Sequence, residues 1–100
     1  MEQERREEER VPVSLEVSWE GGSGRHPARI SDISLGGCYL DTIGTATPGE
    51  IIGLTIKLPG GELLTLRGEV AYHLQNLGFS VCFTYLTDEE QYRLSQLITS

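Results

Sequence analysis

The sequence has no apolar run approaching the length of a membrane-spanning helix, and its start is charged rather than signal-like. That pattern leads us to expect a cytoplasmic protein with no membrane insertion. Cysteine and histidine are scarce. Cys38 and Cys82 lie far apart with no CxxC spacing, and with His26 and His73 they make no zinc pattern. We read both cysteines as small buried hydrophobes of a reducing compartment, with a disulfide between them left open by the sequence. Catalytic signatures are missing too. Ser34 has no sequence-evident histidine partner, no GxSxG elbow surrounds it, and the expectation is no enzyme, no metal and no cofactor. Positive charge is the last scarcity: 8 basic residues against 15 acidic ones give a net charge of −7. Coating long nucleic acid relies on neutralising phosphates, so that class is excluded. An anionic ligand would have to be small and held by a local cluster of arginines.

What is present is a chain of 100 residues, enough for one domain with one core. Residues 1–10 carry Arg5, Arg6 and Arg10 among five glutamates and have nothing apolar to bury after Met1. They read as a flexible segment, either a solvated charge run or an anion clamp whose guanidinium forks suit phosphate and guanine edges. Residues 11–100 read as the folded domain. Val11, Val13, Leu15, Val17 and Trp19 alternate with polar residues, the period of a half-buried strand. A glycine-rich hairpin follows, then a second strand over 25–33 with Ala28 and Ile30 inward.

That strand runs into Asp32-Ile33-Ser34-Leu35-Gly36-Gly37. Two readings of this turn stand side by side. Asp32 and Ser34 can bond their own backbone, or they can present a carboxylate and a hydroxyl to a ligand, with glycine allowing close approach. Short strands are expected at 38–40, 50–58, 62–72 and 78–85. Gly68 is read as a bend or bulge, Tyr72 as in register with Leu64, Leu66 and Val70, and 73–77 as loop. The period then changes. Thr87-Asp88-Glu89-Glu90 is a capping box, and Leu94, Leu97 and Ile98 recur at helical spacing with Tyr92 near the same side. The fold expected is mainly β: a six-stranded antiparallel β-barrel with a C-terminal α-helix.

Taken together these residues resemble the PilZ domain, a bacterial receptor module for the second messenger cyclic di-GMP. The family pattern RxxxR is matched by Arg6-Glu7-Glu8-Glu9-Arg10, and [D/N]xSxxG by Asp32-Ile33-Ser34-Leu35-Gly36-Gly37. Gly68-Glu69-Val70-Ala71-Tyr72 and Leu77-Gly78-Phe79-Ser80-Val81-Cys82-Phe83 are similar to its later strand pair. The resemblance implies a single-domain cyclic di-GMP receptor. Arg6 and Arg10 would take phosphates and the guanine O6/N7 edge. Asp32 would accept from guanine N–H groups, Ser34 would bond a base amine or phosphate, and Gly37 would let the chain pass close. Arg5 and Tyr72 are secondary candidates, Tyr72 being equally readable as packing at the barrel mouth. Ligand would order the arginine segment and alter a surface read by an unidentified downstream protein. The alternative is a PilZ-fold adaptor of motility or pilus machinery that does not depend on nucleotide. Glu7, Glu8 and Glu9 depart from the family, which more often carries apolar, aromatic or basic residues there. They imply weaker or more salt-sensitive binding.

Overall fold

The computed structural model describes residues 10–74 and 77–99. Six strands come first: β1 (Val11–Gly21), β2 (Gly24–Ile33), β3 (Gly37–Asp41), β4 (Ile51–Lys57), β5 (Leu63–Leu74) and β6 (Gly78–Thr84). The helix α1 (Asp88–Thr99) follows. All neighbours pair antiparallel in the order β1-β2-β3-β6-β5-β4, and β1 pairs with β4 to close the barrel. The expected six strands and terminal helix are the observed ones. Closure gives every strand two neighbours and so avoids the edge strands an open sheet of this length would carry.

Alternation decides what lies inside. Leu15, Val17 and Trp19 of β1, Ile52, Leu54 and Ile56 of β4, and Leu64, Leu66 and Val70 of β5 are all buried. With Ile30, Ile33, Leu40, Phe79 and Val81 they form one core. Trp19 sits within it at 0% exposure, edge-on to Phe79 with centroids 5.0 Å apart and stacked on His26 at 4.4 Å. Its indole N–H donates to Thr42 Oγ1 over 3.2 Å, which satisfies the one polar atom the ring carries inward. Glu50 accepts from the Gly22 and Thr47 amides at 2.7 and 3.0 Å, tying the β1–β2 hairpin to the loop before β4.

The capping box forms as its sequence implies: Glu90 N–H donates to Thr87 Oγ1 at 3.1 Å and Thr87 N–H to Glu90 Oε1 at 3.0 Å. Leu94 is fully buried in the barrel core, with Leu97 and Ile98 packed against it. Tyr92 does not share that side; it is 61% exposed.

Three further expectations are corrected, and the open question of a disulfide is answered. β5 continues through His73 and Leu74, which pair with Phe79 and Gly78, so the connection to β6 is shorter than the loop read from composition. Gly68 is no bulge. It pairs regularly with Ile52 and Phe83, and its reason is crowding, since a Cβ there would meet Val81 Cγ1 at 2.3 Å and the Cys82 carbonyl at 2.9 Å. Cys38 is buried but Cys82 is exposed, because Val81 beside it takes the inward position. Both thiols are free, so no disulfide joins them.

Candidate functional site

Three register irregularities shape one flank of the barrel, and those in β2 and β5 reset which residues face outward. Ile30 and Ile33 are both fully buried, which strict alternation forbids for residues three apart. The strand solves this by pairing Ile30 with Leu40 and Asp32 with Tyr39, leaving Ser31 as the extra residue. Asp32 therefore points to the outside between two inward isoleucines. A second irregularity lies between Pro12 and Leu15 of β1, against the same part of β2. The third falls in β5: Val70 pairs with Val81 and Tyr72 with Ser80, with Ala71 extra. This corrects the register read from sequence. Tyr72 leaves the inward row of Leu64, Leu66 and Val70 and stands outside at 52% exposure. Bulges recur near functional sites because they re-aim a side chain without ending the strand.

Arg10 immediately precedes β1, whose Pro12 lies opposite Asp32. Its Nη1 donates to Asp32 Oδ1 at 2.7 Å, a charge-assisted bond with side-chain exposures of 42% and 36%. The last arginine of RxxxR and the first residue of the turn motif are thus in contact. Arg5 and Arg6 lie outside the described residues.

Ser34 is 3% exposed and its hydroxyl serves its own turn. Oγ accepts from the Gly36 and Gly37 amides at 3.1 and 3.2 Å, and Ser34 N–H donates to the Gly37 carbonyl at 2.8 Å. The structure does not bring Ser34 Oγ to Arg10 or Asp32; it fixes the backbone that ends beside them. The Gly36 carbonyl accepts from Phe83 N–H at 2.9 Å, which clamps the turn to β6. Gly37 is pressed against the same strand, where a Cβ would lie 2.1 Å from the Val81 carbonyl oxygen. Gly36 is exposed, and a Cβ there would meet nothing nearer than Ser34 Oγ at 3.9 Å.

Sequence reasoning passes over Tyr39, which it absorbs into a short apolar strand. Cys38 and Leu40 on either side are fully buried, so Tyr39 faces out. Asp32, Tyr39, Ser80 and Tyr72 then follow one another directly across β2, β3, β6 and β5. Burial pushes the Tyr39 phenol pKa up, aided by the nearby charges of Asp41, Tyr72 and Asp32. The run Cys38-Tyr39-Leu40 is apolar throughout and too short to signal beforehand which side faces inward.

An open hollow of about 1150 Å³ lies elsewhere, along Glu16, Arg25, Arg29, Asp41 and Lys57. Arg10, Asp32, Ser34, Gly37, Tyr39 and Tyr72 do not line it. It is open and its charges are mixed, Lys57 Nζ standing 3.8 Å from Glu16 Oε1. Among the described residues no helix is long and apolar enough to cross a membrane.

A family model for the PilZ domain matches residues 4–100, which takes in both the arginine segment and the turn. The chain belongs to the PilZ domain family. Solved structures share the fold of this PilZ domain at low identity. The PilZ domain of CeSA from a cellulose-synthesising bacterium aligns at 17% identity and TM-score 0.73, covering 91% of this chain and 95% of that one. The Bacillus subtilis inhibitor of motility (MotI/DgrA) aligns at 18% and 0.74, covering 90% of this chain and 47% of that one. Escherichia coli YcgR, solved in complex with c-di-GMP, aligns at 12% and 0.77, covering 91% and 43%. This PilZ domain therefore spans about half the length of the last two. No curated protein is significantly similar to it in sequence.

Proposed function

We propose that this PilZ domain is a cyclic di-GMP receptor without catalytic activity, working in the cytoplasm, whose flank at Arg10, Asp32 and the Ser34–Gly37 turn takes the ligand. The observation that carries the reading is the 2.7 Å contact of Arg10 with Asp32, residues 22 apart that belong to the two halves of the family motif. A guanidinium and a carboxylate at one point can divide a guanylate between them. Arg10, with Arg6 and Arg5 ahead of it, supplies donors to phosphate oxygens and to the guanine O6/N7 edge. Asp32, which only accepts when ionised, takes the guanine N–H groups. Ser34 contributes through the turn it holds together, and a direct contact by its hydroxyl would exchange one of the amide bonds it now accepts. The exposed Arg10–Asp32 pair is worth at most about 1 kcal/mol, so a ligand can open it cheaply. Ordering of residues 1–9 over the bound dinucleotide would then change the surface offered to a downstream protein, a disorder-to-order switch of the kind small effectors drive.

The test is calorimetric titration with cyclic di-GMP, beside amide spectra with and without ligand. Binding is expected for the wild type. Arg10→Ala and Asp32→Ala should each weaken it by roughly 10-fold or more, the scale of a lost hydrogen bond to a charged group. No heat and no amide shifts in the micromolar range would sink the receptor reading. Normal binding by both variants would leave the receptor and remove the site.

A further inference from the structure

We propose that Tyr39 is a base-stacking residue: its ring, beside Asp32 and facing Tyr72 across Ser80, provides the flat surface on which a guanine lies. The inference rests on the receptor reading above and adds to it a residue outside both halves of the motif.

Directly opposed residues of an antiparallel pair share a face with Cβ atoms roughly 5 Å apart. Asp32 and Tyr39 are such a pair, so their side chains leave the sheet as neighbours on its outer face. A base laid on that ring turns an edge toward Asp32. The carboxylate can only accept, so the edge it suits is one carrying adjacent N–H donors, which guanine has at N1 and N2. The two groups thus do different work: the ring holds any base by its face, and the carboxylate chooses guanine by its edge.

Ser80 separates Tyr39 from a second aromatic residue. Phe79 and Val81 are buried inward, so Ser80 faces out, yet it is only 4% exposed. The residues at its two cross-strand positions are Tyr39 and Tyr72, one on either side. Strands lie about 4.8 Å apart, which puts the two tyrosine backbones about 10 Å apart with a small residue between them. Two aromatic residues thus stand on the outer face with one small residue between them. The Tyr39 phenol is neutral at pH 7, as an ordinary tyrosine is, and burial pushes its pKa further up, so the ring adds no charge against a ligand that brings two phosphates.

The experiment is a cyclic di-GMP titration of the full chain with Tyr39→Thr, Tyr39→Phe and Tyr39→Trp. Threonine keeps a β-favouring side chain on this outer position, and an unchanged urea midpoint reported by the buried Trp19 certifies the fold. Tyr39→Thr should bind about 5- to 150-fold more weakly, the range found when a stacking aromatic is removed. Tyr39→Phe should bind like the wild type, since the ring is kept. In Tyr39→Trp the added indole should be quenched on saturation, while Trp19, inside the barrel, should not respond. Preference over cyclic di-AMP should survive Tyr39→Phe and fall with Asp32→Asn. Wild-type affinity in Tyr39→Thr, or no quenching in Tyr39→Trp at saturation, overturns the stacking role and leaves the receptor intact. A wild type that binds no cyclic di-GMP overturns both.

Discussion

Replacing Gly37 by alanine separates what the second glycine of the turn does for the fold from what it does for a ligand. The added Cβ would sit 2.1 Å from the Val81 carbonyl oxygen and 3.2 Å from its carbon. Both atoms are backbone of β6, so no side chain can rotate away; β3 must move by roughly 1 Å to restore contact distance. Such a shift strains the Gly37–Cys82 and Cys38–Val81 pairings and the Ser34 turn bonds together. Overpacking typically costs 1–3 kcal/mol, and with a rigid partner we expect about 3 kcal/mol. Taken against a total of roughly 5–15 kcal/mol, this lowers the urea midpoint by about 1–3 M. Urea unfolding followed by fluorescence of Trp19, the single tryptophan and fully buried, reads this directly. Gly36→Ala is the control, with no atom closer than 3.9 Å to its new methyl, and should keep the wild-type midpoint. If Gly37→Ala unfolds at the wild-type midpoint, the account of why glycine stands there is wrong.

Two other outcomes follow from charge and burial. The Glu50 carboxyl pKa is lowered by hydrogen bonds from the Thr47 and Gly22 amides, so its contribution to stability is full above the unfolded-state value and is lost as pH falls through the lower folded one. The urea midpoint of Glu50→Gln should therefore lie below wild type at pH 7 and converge on it in acid; a gap that persists at pH 2 refutes the linkage. Burial pushes the Cys38 thiol up to about 12 and holds it neutral, whereas Cys82 is exposed. Brief iodoacetamide treatment of the native protein at pH 8 should add one label, on Cys82, and peptide mapping that finds Cys38 labelled equally would contradict the packing.

Strong periodicity was readable before any coordinates. The unbroken alternation of Val11 to Trp19 and the Thr87–Glu90 capping box each specify their element locally, and both formed as read. Reading stopped where the alternation breaks. Tyr72 counts as inward by a period of two from Val70, and only the extra residue at Ala71, set by the pairing of β5 with β6, turns it out. Tyr39 was hidden for the converse reason: its own strand is too short to show which face is buried until β2 and β6 flank it.

By itself, then, the sequence determined the order and kind of the elements, the core positions of the regular strands, and the two motif halves, because all of these depend on residues near one another along the chain. Tertiary structure decided that Arg10 meets Asp32, that Ser34 is taken up by its own turn, that Gly37 is closed against Val81, and that Tyr39 and Tyr72 share an outer row. Those facts turn on register between strands distant in sequence, and a bulge of one residue moves a side chain from one face of a sheet to the other.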